Sequence, residues 1–180
     1  EVDGISAGIE EQIDQILEVC KKRNVREVRA AKNEEERARW WANRKTGFGA
    51  MGAISPDYLV QDGVIPRSKL PEVLSRINQI SDESGLRIAN IFHAGDGNLH
   101  PLVLFDARIP GESEKALEAG SQCLKVCADV GGTITGEHGV GIEKREEMRF
   151  VFTEEEIAAQ TEIREVFNPI NLLNAGKLFP

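Results

Sequence analysis

Cysteine is scarce, basic charge is outnumbered, and no apolar run approaches the roughly 20 residues that a membrane span requires. The 3 cysteines include Cys123 and Cys127, four apart in a helix-like stretch, and no Cys-x-x-Cys pair occurs. That pattern argues against a disulfide framework or a cysteine-ligated metal, and reduced, mostly buried thiols are expected. Twenty-two Lys plus Arg against 30 Asp plus Glu leave a formal net charge of -8, so a phosphate backbone is repelled on average. Nucleic acid is therefore not an expected partner. No apolar signal segment opens the chain, and a soluble, cytoplasmic protein is expected. The opening Glu1-Val2-Asp3-Gly4 has no initiator Met and reads as the tail of a strand entering a turn, as in a piece of a larger protein.

With 41% hydrophobic residues over 180 positions, the chain is long enough for one substantial core. Ile9, Ile13, Ile16, Leu17 and Cys20 recur at helical spacing and predict a helix over residues 6–23, closed by basic residues as the helix dipole favours. Asn33 caps a second helix over 34–44, and Gly47, Gly49 and Gly52 break the periodicity beyond it. Residues 57–65 have strand composition interrupted by Asp62-Gly63; Ser68 then caps a helix ending at Gly85. Residues 86–93 and 99–105 alternate as the arms of a hairpin around Gly95 to Asn98. A helix over 113–130 follows, then a short strand at 133–135. Thr153 and Glu156 form a capping box for a last helix ending at Asn168-Pro169. Hairpins with intervening helices predict an α+β fold, a largely antiparallel sheet with helices packed on one face.

All 3 histidines lie in two glycine-rich segments, His93-Ala-Gly-Asp-Gly-Asn-Leu-His100 and Gly136-Glu-His-Gly139. A four-residue loop at 95–98 sets His93 directly opposite His100 on one face, close enough for both imidazoles to hold one metal, with Glu137 as third ligand. Half-buried histidines bonded to backbone carbonyls fit the same spacing, since Ile91, Leu102 and Leu104 share their face. Pro101 cannot donate to a ladder, which predicts an irregular or edge strand. Five glycines in residues 131–141 allow close backbone approach and free Glu137 and His138 to project, a carboxylate and an imidazole offering a ligand and a proton acceptor at one place. A plain tight turn and a phosphate-cradling loop are the alternatives, the latter without the Gly-Lys-Ser/Thr it needs. Arg44 ends a helix and is either a clamp for an anionic substrate or a solvated helix terminus. Residues 167–180 have no regular period and read as a docking tail or a frayed end.

Taken together, His93 to His100, Gly132-Thr-Ile-Thr-Gly-Glu-His-Gly-Val-Gly141 and Asn168-Pro-Ile-Asn-Leu-Leu-Asn-Ala-Gly-Lys-Leu-Phe179 resemble the C-terminal half of FAD-linked 2-hydroxy acid oxidoreductases of the glycolate oxidase type, within the vanillyl-alcohol-oxidase flavoprotein superfamily. Trp41-Ala-Asn-Arg-Lys45 and residues 54–66 extend the resemblance over nearly the whole chain. It implies a substrate-binding cap over 1–166 and a tail over 167–180 that returns to an FAD-binding domain preceding the chain. Most of the FAD site then lies elsewhere, and the chain alone is expected to be inactive. The resemblance further implies a divalent metal, zinc in some relatives, on His93, His100 and Glu137. It assigns His138 as the histidine beside the substrate, Arg44 to the substrate carboxylate, and Asn174 and Lys177 to the flavin-facing tail. Where relatives acting on dicarboxylates carry polar groups, this chain has Phe48, Val60 and Leu102, which implies a small 2-hydroxy acid, glycolate or D-lactate. Other oxidase subunits are implied as partners, with any membrane contact made through them. A self-sufficient metal-dependent hydrolase and a non-catalytic interaction module are the competing readings.

Overall fold

The computed structural model describes Val2 and residues 4–180, the side chain of Ser6 excepted. Glu1 and Asp3, and with them part of the strand tail expected at the N-terminus, lie outside the described residues. Contacts divide the chain into two units, Glu1–Lys45 and Thr46–Pro180. That boundary is not one the composition suggested; the functional division at residue 166 remains a proposal.

The first unit holds α1 (Ser6–Lys22) and α2 (Glu34–Lys45). Asn33 caps α2, its side-chain oxygen accepting the Glu36 N–H at 2.9 Å, and Lys21 and Lys22 close α1 against its dipole. The apolar stripe of α1 is present, yet no described residue of this unit is fully buried. Ile13, Ile16, Trp40, Trp41 and Arg44 instead line an open cavity of about 560 Å³.

The second unit is the expected α+β layer. After α3 (Gly47–Met51), where only a break was expected, come β1 (Asp57–Val60), β2 (Gly63–Val64), α4 (Leu70–Ser84), β3 (Ile88–His93), β4 (Asn98–Phe105), α5 (Glu112–Asp129) and α6 (Glu154–Phe167). The sheet is antiparallel, with β3 on one side of β4 and β1 and β2 on the other. Pro101 thus sits in the central strand, not on an edge. The reason is visible opposite it. Val60 faces Leu102 and Gly63 faces Leu99 in a single register, so Gln61 and Asp62 fall opposite Pro101 and His100. Gln61 N–H donates to the Pro101 carbonyl at 2.9 Å, but Pro101 has no N–H to return. The ladder opens there, and one neighbouring strand becomes the two short pieces β1 and β2.

Alternation along β4 sends Leu99 and Val103 to one face, where they pack with Val73, Ile77 and Ile80 of α4 and Ala119, Cys123 and Cys127 of α5. Each fully buried aliphatic side chain contributes about 1.5–3 kcal/mol. Cys123 and Cys127 are free and buried, and burial pushes both thiols up to about 12, so they pack as small apolar groups. Leu124, on another side of α5, joins Ile134, Met148 and Ile157 in a second cluster that Phe179 also contacts.

Local chemistry accounts for several ends. Thr153 and Glu156 make the expected capping box at α6, and α4 stops at Gly85. Ser68 does not cap α4: a 3-10 turn over Arg67–Lys69 leads into the helix instead. The strand expected at 133–135 is reduced to one antiparallel bridge between Thr133 and Val64.

The hairpin turn is Ala94 to Gly97 rather than Gly95 to Asn98, because Gly97 adopts φ +74 and releases Asn98 into the strand opposite His93. A Cβ on Gly97 would also stand 2.2 Å from the Ile65 carbonyl oxygen. Gly97→Ala is therefore expected to destabilise the protein by about 1–3 kcal/mol, read as a lower urea midpoint with unchanged slope. An unchanged midpoint would show that the turn tolerates a side chain.

Candidate active site

The face of β4 away from α4 and α5 carries Asn98, His100 and Leu102, with Ile91 and His93 beside them on β3. His100 pairs with Ile91, and His93 with Asn98. The two histidines are diagonal neighbours, not directly opposite as expected. The pairing is offset by two residues, an even number, so both stay on one face, and their ring centroids are 5.5 Å apart at 79°. His100 is 2% exposed, whereas the His93 side chain is 44% exposed. Phe48 of α3 forms a T-shaped pair with His100, with ring centroids 5.9 Å apart at 73°.

Glu137 and His138 arrive from the glycine-rich segment. Gly132 brings that segment against β2, where Thr133 and Val64 exchange both backbone hydrogen bonds at 2.8 and 3.0 Å; a Cβ on Gly132 would overlap the Val64 carbonyl. The chain then wraps a carboxylate. The Thr135 hydroxyl and the N–H groups of Gly136, Glu137 and His138 all donate to Asp62 Oδ2, at 2.9, 2.8, 2.9 and 2.8 Å. Burial pushes the Asp62 carboxyl up, but these donors together outweigh it and hold the group at about 2. With a folded value below the ordinary 3.8, Asp62 contributes stability above pH 3.8 that is lost as pH falls through about 2.

Held this way, Glu137 Oε1 lies 3.0 Å from His100 Nε2 and 3.8 Å from His93 Nε2, and His138 stacks on His100 at 5.1 Å. One donor atom from each of Asp62, His100, Glu137 and His138 falls within 4.8 Å of the others. His93 reaches this group through Glu137. His100 Nε2 and Asp62 Oδ1, 3.6 Å apart, are buried and have no aligned hydrogen-bond partner among the described residues. Burial holds the His100 imidazole below its ordinary value despite the Asp62 and Glu137 carboxylates, which keeps a lone pair available. Orphaned nitrogen and oxygen donors that converge in this way fit a divalent cation with mixed N/O preference.

The other expected site residues lie apart from this cluster in the chain. Arg44 is in the last turn of α2, in the first unit. Asn174 and Lys177 belong to the tail, which is docked rather than frayed. Arg164 of α6 donates to the carbonyls of Leu173, Asn174 and Lys177 at 3.0, 3.0 and 3.3 Å, and the Leu178 N–H donates to Gly141 at 2.7 Å. Lys177 Nζ is 3.4 Å from Asn174 Oδ1. Two site residues carry no signal of their own in the sequence: Asp62, where Asp62-Gly63 reads only as an interruption of strand composition, and Lys144, buried with its Nζ 4.0 Å from Asp62 Oδ2. Pro101 next to His100 was the available signal for Asp62, since a proline in a central strand frees the residues opposite.

This chain belongs to the family of FAD linked oxidases, C-terminal domain, whose model matches residues 1–178. Over its full length it is 47% identical to glycolate oxidase subunit GlcD of Escherichia coli (strain K12), of which it spans 36%. It is 34% identical to the same-named subunit of Bacillus subtilis (strain 168), over 99% of this chain and 38% of that protein. The mitochondrial D-lactate dehydrogenase (cytochrome) of Arabidopsis thaliana is 30% identical over 98% of this chain and 32% of its own length. The chain thus spans about a third of the curated relatives it matches. No helix among the described residues is long and apolar enough to cross a membrane.

Proposed function

We propose that this chain is the substrate-binding cap of an FAD-dependent oxidoreductase that converts a small 2-hydroxy acid, glycolate or D-lactate, to the 2-oxo acid. The observation that supports it most is the convergence of His93, His100, Glu137 and His138 on one face of a hairpin in a member of this family. The relatives named for glycolate and D-lactate point to the substrate class. When bound, FAD supplies the acceptor for the C2 hydride, and a divalent cation, with zinc the first candidate, supplies a Lewis acid beside the substrate hydroxyl. His93, His100 and Glu137 would hold the cation. His138 takes the hydroxyl proton, and Arg44 binds the carboxylate through its guanidinium. Asn174 and Lys177 are assigned to the flavin side, in a tail whose anchorage on Arg164 keeps their backbone in place. Partner subunits are part of the proposal, since two of the relatives are named as subunits. So is a cytoplasmic location with any membrane contact made through those partners.

In the full-length protein carrying FAD, anaerobic addition of glycolate or D-lactate is expected to bleach the flavin absorbance. The double variant His93→Ala/His100→Ala is expected to lose both zinc binding and bleaching. Bound flavin that no 2-hydroxy acid bleaches would overturn the proposal.

A further inference from the structure

We propose that Asp62 is the positioning residue of this site: its Oδ2 fixes the backbone of residues 135–138 so that Glu137 and His138 are presented to His100. The inference rests on the functional reading above but adds a residue and a role to it. Three consecutive backbone N–H groups and one hydroxyl converge on a single oxygen of a side chain that is 0% exposed. Successive N–H groups curled around an anion form a nest, and here the anion comes from the protein itself. Removing its charge leaves the three backbone donors with at most a neutral acceptor, while the Thr135 hydroxyl, which also accepts the Gly139 N–H at 2.8 Å, the Glu137 contact with His100 and the His138 ring stacked on His100 are further holds on the segment.

The placement follows from the sheet. Pro101 opens the ladder opposite Gln61, next to the position where Asp62 stands opposite His100, and that register puts the Asp62 side chain on the face of the histidines. Its second oxygen, Oδ1, has no hydrogen bond and lies 3.6 Å from His100 Nε2. One carboxylate therefore grips the segment bearing Glu137 and His138 with one oxygen and faces the buried histidine with the other. Lys144 supplies the buried counter-charge, its Nζ 4.0 Å from Oδ2.

The test uses the full-length FAD protein with Zn²⁺ as the added metal, comparing wild type with Asp62→Asn, Thr135→Val and Thr135→Ser. Three quantities are read: backbone hydrogen exchange, Zn²⁺ affinity by chelator competition, and kcat and KM on glycolate and D-lactate. In Asp62→Asn, exchange at residues 136–138 is expected to speed up while β3 and β4 keep their protection. Zn²⁺ affinity and kcat should each fall by ~10–100-fold, with KM within a few-fold. Thr135→Val should show part of the same shift, and Thr135→Ser, which keeps the hydroxyl, should restore it. Exchange that rises throughout the second unit, with losses that track thermal stability, would make Asp62 a general packing residue and overturn the proposal. So would wild-type zinc affinity and kcat despite a loosened segment. Should Asp62→Asn not fold, a Thr135→Val variant with wild-type exchange overturns it equally. If wild type turns over no 2-hydroxy acid while the exchange and zinc responses appear as expected, the functional reading fails and the anchoring role is supported.

Discussion

Replacing His138 by alanine in the full-length enzyme is expected to lower kcat by ~10²–10⁴-fold while KM moves far less, the signature of a lost proton acceptor. The imidazole is suited to that task by position. Its backbone N–H is bound to Asp62 at 2.8 Å and its ring is stacked on His100 at 5.1 Å, while its neighbour Glu137 reaches both His93 and His100. The residue itself is exposed, whereas His100, on which its ring stacks, is buried. Zinc content measured on the same variant separates a lost base from a lost cation. A loss confined to KM would reassign His138 to substrate binding.

The second large effect concerns substrate choice: kcat/KM for 2-hydroxyglutarate is expected to fall below that for glycolate or D-lactate by at least ~10²-fold, since each ~1.4 kcal/mol is a factor of ten. Val60 stands opposite Leu102 in the ladder, on the face that carries His100, and Leu102 is wholly buried. Phe48 covers His100 from α3. A second carboxylate brought against these apolar groups loses its hydration and gains no hydrogen bond from them, at a cost of several kcal/mol. Lys144 does not offer itself as the missing cation, because it is buried and already faces Asp62. Steady-state rates on the three acids decide the matter, and equal or better turnover of 2-hydroxyglutarate would show a further cation in the pocket.

Much of this site was legible before folding. Helical spacing in residues 6–23, the capping box at Thr153 and Glu156, and the hairpin between the two histidines all depend on groups a few residues apart. Such contacts form with little loop-closure cost and leave a clear periodic trace. The shared face of His93 and His100 was equally secure, because an offset of two residues conserves the side on which a strand residue points. The offset itself was not legible. It depends on which residue of the turn takes a positive φ, and either Gly95 or Gly97 could do so by local preference; in the fold it is Gly97, whose carbonyl accepts the N–H of Ile65, distant in the chain, at 2.9 Å.

By itself, then, the sequence determined the α+β class, the five longer helices though not the short α3 or the start of α4, the hairpin, and the presence of the imidazoles and the Glu137 carboxylate in two glycine-rich segments. Tertiary structure alone decided that Pro101 lies in the central strand, that Asp62 comes to stand opposite His100, and that the segment 73 to 76 residues further along the chain closes around its carboxylate. It also decided that the tail docks through Arg164 and Phe179. The physical reason is common to all of these. An aspartate next to glycine has the same local preferences in a surface turn as at the floor of a site, and only the desolvation of its charge, offset by donors brought from a distant part of the chain, tells the two apart.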